Sequence, residues 1–230
     1  MIQTKKIAFL LFLSISNLQC MFAQDWSNLK RYEKKNSTLT IPQQGEHRVV
    51  FMGNSITEGW LTIRPDFFSH KPYINRGIGG QTTPQMLLRF RQDVINLNPS
   101  VAVILAGIND IAGNTGPSTI KMISDNIFSM IDLAKAHHIK VIVCSVLPAN
   151  YFPWQPDIEP AQQVIELNSI LKAYAAKNNI VYADYFSAMV NESNGLRKEL
   201  GSDGVHPNEK GYLTMDPIIE NCIKRVLLLD

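Results

Sequence analysis

Cysteine is scarce in this chain, with three residues among 230. Cys20 lies in the N-terminal segment, Cys144 in the apolar run "KVIVCSV" and Cys222 near the C-terminus. That spacing offers neither a disulfide framework nor a zinc motif, so two buried free thiols are expected in the folded part. A charge excess of either sign is also missing, since 22 basic residues face 20 acidic ones. Bulk electrostatic attraction to nucleic acid or to an anionic membrane surface is thereby excluded. No apolar run approaches the roughly 20 residues that a bilayer-spanning helix needs, so stable membrane insertion is not expected. Internal repeats and low-complexity tracts are absent. The adjacent pair His137 and His138 stands near a helix end, where successive side chains point to different faces. A favourable charge at the helix end explains it better than metal binding, and no metal or cofactor is expected.

What is present begins with a leader. Lys5 and Lys6 precede the apolar run "IAFLLFLSI" from Ile7 to Ile15, followed by a polar stretch and "MFAQ". This is the pattern of a signal peptide over residues 1–24, cleaved near Ala23 or Gln24, and it implies a periplasmic or secreted protein. Lipid attachment at Cys20 is the alternative, although "NLQC" lacks the small residue that lipoprotein signals place before the cysteine. The remainder, residues 25–230, suits a single domain with a sizeable core, given 45% hydrophobic and 18% charged residues. Residues 25–47 read as an irregular, partly helical lead-in. Five β-branched runs follow: "RVVFMG", "YINRGI", "VAVILAG", "KVIVCSVLP" and "IVYADYF". Their near-continuous apolarity is that of strands buried on both faces. Helical patterns lie between them at about residues 82 to 97, 117 to 137, 160 to 178 and 209 to 228, with Pro117 suited to a first helical position. The alternation predicts an α/β fold, a three-layer α/β/α sandwich around a flavodoxin-like five-stranded parallel sheet.

In such sheets ligands gather beyond the carboxyl ends of the strands, and polar residues cluster there in this chain. Ser55 follows the first strand, "GIGGQTT" the second, "GIND" the third, "LPANYFPW" the fourth, and "SDGVHP" comes after the fifth. A serine hydroxyl becomes a nucleophile only when a base takes its proton and an acid holds that base in the right tautomer. Asp203 and His206, three residues apart, can supply both, although such a pair also occurs as a turn cap and a surface histidine. Attack on an ester carbonyl creates an oxyanion that needs donors already aimed at it. The Ser55 N–H, the Gly80 N–H at a helix start and the Asn109 amide are the candidates. A helix cap for Gly80 and a turn for Asn109 stand beside that reading.

The four blocks "GNSIT", "GIGGQTT", "GIND" and "DGVHP", in that order and after the expected strands, resemble those of the SGNH, or GDSL-like, hydrolases. The resemblance runs from Val49 to Tyr212, and within the family the chain looks most like the platelet-activating-factor acetylhydrolase and acetylesterase branch. It implies that Ser55 is the nucleophile, that His206 and Asp203 complete a triad, and that Ser55, Gly80 and Asn109 form the oxyanion hole. The first block departs from the common Gly-Asp-Ser, because Asn54 stands where the acid would be. Asn keeps the size and the local acceptor, so the turn is expected to survive.

Rival readings fit less well. "GIGGQT" approaches a dinucleotide fingerprint but has Thr82 at the third glycine and follows the second strand. A G-x-S-x-G elbow would need glycine at Thr57. Asp184, at the end of the fifth strand, competes with Asp203 as triad acid, while Asp110 reads as a structural acid. A non-catalytic carbohydrate-binding module would use the aromatic residues and leave the serine, histidine and asparagine without a task. The stretch from Ala149 to Pro160, rich in prolines and aromatics, is either a packed surface loop or one wall of a substrate crevice. In the second case Trp60, Tyr151 and Trp154 are the substrate-binding candidates. The expected activity is hydrolysis of short-chain esters, with O-acetylated carbohydrate as substrate. A lysophospholipase, lipase or thioesterase of the same fold is the alternative. The expected partner is a small-molecule or glycan ester, and the sequence carries no signal for oligomeric state.

Overall fold

The computed structural model describes residues 25–229, so the leader expected over 1–24 lies outside the described residues. A lead-in helix α1 (Lys30–Ser37) precedes β1 (Val49–Gly53), α2 (Ser55–Ile63), a single turn α3 (Pro65–Phe68), β2 (Tyr73–Gly77) and α4 (Thr83–Asp93). Then come β3 (Val101–Leu105), the short α5 (Ile108–Ile111), α6 (Ile120–Ala136), β4 (Lys140–Cys144), α7 (Ala161–Lys177), β5 (Val181–Ala183), α8 (Tyr185–Met189) and α9 (Glu209–Leu227). The five strands form one parallel sheet in the order β2-β1-β3-β4-β5. Helices α4, α6 and α7 pack side by side on one face, and α2 and α9 cover the other. This is the flavodoxin-like sandwich that the alternation predicted.

The strands form because their residues are apolar on both sides. Every residue of β1 and β3 is buried, so the two central strands sit between the helical layers without a solvent-facing side. The winding reverses between β1 and β3. Their register aligns Gly53 with Leu105 on one side and with Gly77 of β2 on the other. The segments that follow these three strands therefore emerge level with one another, at the switch point where a parallel sheet opens a crevice.

Several elements differ from the sequence reading. Helix α6 starts at Ile120 rather than at Pro117, because Thr119 caps it by accepting from the Met122 N–H at 3.2 Å. The fifth strand stops at Ala183, where Asp184 accepts from the Ser187 N–H and starts α8. Helix α2 was not expected at all, and it corrects the placement of Trp60. One turn beyond Ile56, Trp60 points into the core with 1% exposure. Its ring stacks on Phe67 at 5.0 Å and on Tyr212 at 5.5 Å, and its Nε1–H donates to Asp216 at 2.8 Å. Trp60 is a core residue at the seam between α2 and α9, not a substrate contact.

Candidate active site

The strand-to-helix turn after β1 presents the serine. Asn54 caps α2, its Oδ1 accepting the Ile56 N–H at 3.0 Å, and Ser55 is the first helical residue. Asn54 thus keeps the acceptor that holds the turn. The Ser55 N–H is one of the first-turn amides that have no acceptor within the helix, at the positive end of the helix dipole.

His206 reaches the serine from the other end of the chain. Its loop is pinched by a bridge between Gly201 and Pro207 and by the bond from Ser202 N–H to the His206 carbonyl. Beyond it, Asn208 caps α9 through the Gly211 N–H at 3.1 Å. Within that frame His206 Nε2 lies 2.9 Å from Ser55 Oγ, and Nδ1 lies 2.7 Å from Asp203 Oδ2. Asp203 Oδ1 also accepts the N–H groups of Val205 and His206, at 3.0 and 2.8 Å. Partial burial works to raise the Asp203 pKa, but these donors outweigh it and hold the carboxyl below its ordinary value. Gly204, at φ +84°, makes the tight turn between the two, and a Cβ there would come within 2.6 Å of the Tyr151 ring.

The donors stand opposite. Gly80 has φ +75° and lies in a turn, with α4 beginning only at Thr83, so the expectation of a helix start is off by one short turn. The space where a Gly80 Cβ would sit is open to the crevice. Asn109, on α5 beyond β3, is buried and steered by one of its amide hydrogens, which donates to the Gln81 carbonyl at 3.0 Å. Ser55, Gly80, Asn109 and His206 line one small cavity of about 280 Å³, together with Asn114 and Trp154. Chemically this is a hydroxyl held to an imidazole and the imidazole held to a carboxylate, with Gly80 and Asn109 lining the hollow beside the hydroxyl.

The remaining candidates sort clearly. Trp154 is at the site, its ring centroid 5.9 Å from that of His206 and its Nε1 3.4 Å from Asn114 Oδ1. Tyr151 stands behind the histidine loop against Gly204 and is half exposed. Asp184 caps α8 and pairs with Lys172 at 3.3 Å, so it has no contact with His206. Asp110 is buried and accepts from the Thr83 N–H and hydroxyl, tying the third block to the start of α4. Burial pushes its pKa up to about 6. Among the described residues there is no group of three or more His, Cys, Asp or Glu that could hold a metal.

Several supporting residues were missed. Arg89, fully buried in α4, donates to Gln81 Oε1 at 2.5 Å, to the Gly53 carbonyl at 2.9 Å and to Asp93 at 3.0 Å. It braces both the end of β1 and the Gly80 turn, with its charge offset by Asp93. Asn114 donates to the Gly80 carbonyl at 3.1 Å. Arg89 is one of two arginines in α4, beside Arg91, and from sequence it reads as an ordinary surface residue. Asn114 had no signal beyond its place in a glycine-rich loop.

Comparison with known proteins places the chain in a family. Residues 51–213 match the model of the GDSL-like lipase/acylhydrolase family. A GDSL-like lipase from Bacteroides thetaiotaomicron is 49% identical, superposes with a TM-score of 0.85, and the match covers 86% of this chain and 98% of that one. The platelet-activating factor acetylhydrolase IB subunit alpha2 of Rattus norvegicus is 25% identical over 189 residues, 79% of this chain and 78% of its own length. The lipoprotein YqeF of Bacillus subtilis is 37% identical over 78 residues, so the chain spans about a third of that relative, 32% of its length. With fold, block order and family model in agreement, the chain belongs to the GDSL-like lipase/acylhydrolase family.

Proposed function

We propose that the protein removes acetyl groups from O-acetylated carbohydrate outside the cytoplasm, with Ser55 as nucleophile, His206 as general base and then acid, and Asp203 as the group that orients it. In this reading Ser55 Oγ attacks the ester carbonyl while His206 Nε2 takes its proton. The N–H groups of Ser55 and Gly80 and the Asn109 amide receive the oxyanion. His206 returns the proton to the departing alkoxide, and water then releases the acid by the same steps in reverse order of roles.

The observation that carries the substrate choice is the position of Trp154. Because the leaving alkoxide collects its proton from His206, the alcohol departs on the imidazole side, and Trp154 stands on that side with 40% exposure. An indole face flanked by exposed Gln155, Asp157 and Glu159 suits a ring with an apolar face and a hydroxylated edge. The small hollow also favours a short acyl group, since each methylene that stays in water forgoes about 0.8 kcal/mol. The lipoprotein relative and the expected leader support action outside the cytoplasm. No helix among the described residues is long and apolar enough to cross a membrane.

The test is a panel of acetate, butyrate and octanoate esters of one alcohol, followed by acetylated xylan or pectin fragments against a phospholipid. Ser55→Ala serves as the blank and is expected to lose on the order of 10⁴ in turnover while remaining folded. Faster cleavage of octanoate, or fatty acid released from the phospholipid with no acetate from any glycan, would refute the proposal and favour a lipase.

A further inference from the structure

The turn that carries Gly80 is fastened to the nucleophile helix by a carboxylate. Glu58 lies one turn after Ser55 on α2, and its Oε2 accepts the N–H of Gly79 at 2.8 Å. The point where a Gly79 Cβ would sit is 3.1 Å from Glu58 Oε2 and 3.9 Å from the Ser55 Cβ, so carboxylate and serine flank the same residue. This contact fixes the peptide next to the Gly80 N–H. It also places a negative charge beside the place where an oxyanion develops, and like charges at that range repel. The other oxygen of Glu58 answers the problem. Oε1 accepts from Arg31 of the lead-in helix α1 at 2.7 Å. Arg31 precedes residues 51–213, the part that matches the family model.

We propose that Arg31 and Glu58 act together as positioning residues for the oxyanion hole: Glu58 anchors the Gly79–Gly80 turn through a backbone N–H, and Arg31 neutralises the carboxylate so that the anchor does not oppose the charge formed on the substrate. The inference rests on the reading of Gly80 as an oxyanion donor. The lead-in is held for this task by contacts beyond the pair. Gln81 donates to the Ser27 carbonyl at 2.7 Å and Gln85 to that of Trp26 at 2.6 Å, while the Tyr32 hydroxyl donates to the carbonyl of Gly77. The pair itself is partly exposed, with side-chain exposures of 51% and 33%, so it contributes little to stability and its variants are expected to fold.

This arrangement makes a pattern that a merely structural ion pair would not. Arg31→Met leaves the bare carboxylate and should lower kcat for an aryl acetate by about five- to tenfold with KM unchanged, because the loss is felt only as charge develops. Glu58→Gln keeps an oxygen for Gly79 without the charge and should stay within about twofold of wild type. The double variant Arg31→Met/Glu58→Gln should return to the level of Glu58→Gln. Glu58→Ala, which loses the anchor, should fall about tenfold in kcat and be rescued by the Gln variant. The deficit of Arg31→Met should shrink in 1 M salt, where exposed charges are screened over about 3 Å. Melting temperatures measured in parallel should move little. An unaffected Arg31→Met, a double variant as impaired as Arg31→Met, or a Glu58→Gln loss as large as that of Arg31→Met would each overturn the proposal. Asn109→Ala in the same series separates the two ideas: if it retains full activity, the oxyanion reading itself fails, whereas its loss beside an unaffected Arg31→Met refutes only the pair.

Discussion

Replacing Asp203 by Asn is the sharpest test of how the histidine is set. Asp203 Oδ1 accepts two backbone N–H groups and Oδ2 receives the His206 Nδ1–H at 2.7 Å. In the variant the amide oxygen can keep the two backbone bonds, so the loop should hold its shape. The NH2 group then faces Nδ1. A donor facing Nδ1 selects the tautomer in which that nitrogen is bare and Nε2 carries the hydrogen. Nε2 would then donate to Ser55 Oγ across the 2.9 Å contact instead of accepting from it, and the serine would have no base. The expected loss in kcat is on the order of 10⁴, equivalent to about 5 kcal/mol of barrier, with KM little changed. Asp184→Asn is the matched control. That side chain caps α8 and pairs with exposed Lys172, so its loss should cost less than tenfold in rate. The assay is initial-rate hydrolysis of an aryl acetate, with circular dichroism confirming both folds. If Asp184→Asn were the more damaging change, or if Asp203→Asn kept more than a tenth of wild-type kcat, the tautomer argument would be wrong.

Further outcomes follow from the same geometry. Asn109→Ala should reduce kcat by about 10² to 10³, read from steady-state kinetics, as expected for one oxyanion donor. Trp60→Ala should destabilise the fold by about 3 to 5 kcal/mol in a denaturant titration, whereas Trp154→Ala should leave stability nearly unchanged and raise KM for an acetylated oligosaccharide. Asp110 has a folded pKa of about 6, above its ordinary 3.8, so the folded state binds its proton more tightly than the unfolded chain. Its contribution is therefore most favourable below pH 3.8 and is lost as pH rises through about 6. Measured against Asp110→Ala, the unfolding free energy of wild type should fall by about 3 kcal/mol across that window, and a flat difference would contradict the assignment.

Much of the architecture was legible because parallel strands buried on both faces leave unbroken apolar runs, as "VAVILAG" does, and because catalytic groups cluster where those runs end. Ser55, Gly80, Asn109, Asp203 and His206 could all be nominated by position after a strand and by chemistry; the folded chain brings Ser55, Gly80, Asn109 and His206 to one hollow and sets Asp203 behind His206. What escaped was set by packing. Helix α2 announces itself through the Asn54 cap and the i, i+4 pair Ile56 and Trp60, but those signals were overshadowed by the serine, and Trp60 was misplaced as a result. The polar scaffold of Arg89, Gln81 and Glu58 was invisible for another reason. Each looks like an ordinary surface residue in sequence, and only the tertiary fold reveals that its partners include a backbone group 21 to 54 residues away.

The seam between α2 and α9 has a consequence for how the molecule responds to heat. Ser55 begins the first of these helices and His206 stands just before the second, so their separation is governed by how the two helices bear on each other. The contacts that bind them include the Trp60 ring on Tyr212, the Trp60 indole N–H on Asp216, the Tyr212 hydroxyl on the Ile56 carbonyl at 2.8 Å and, at the end of α2, Arg64 on Asp216 at 3.3 Å. None of these belongs to the sheet. Local loosening of one helix pair takes less free energy than melting the whole fold. A small slide along this seam would part hydroxyl from imidazole while all five strands remain paired, so under the proposed mechanism activity should fade on warming before circular dichroism registers a loss of structure, which parallel rate and spectral measurements check.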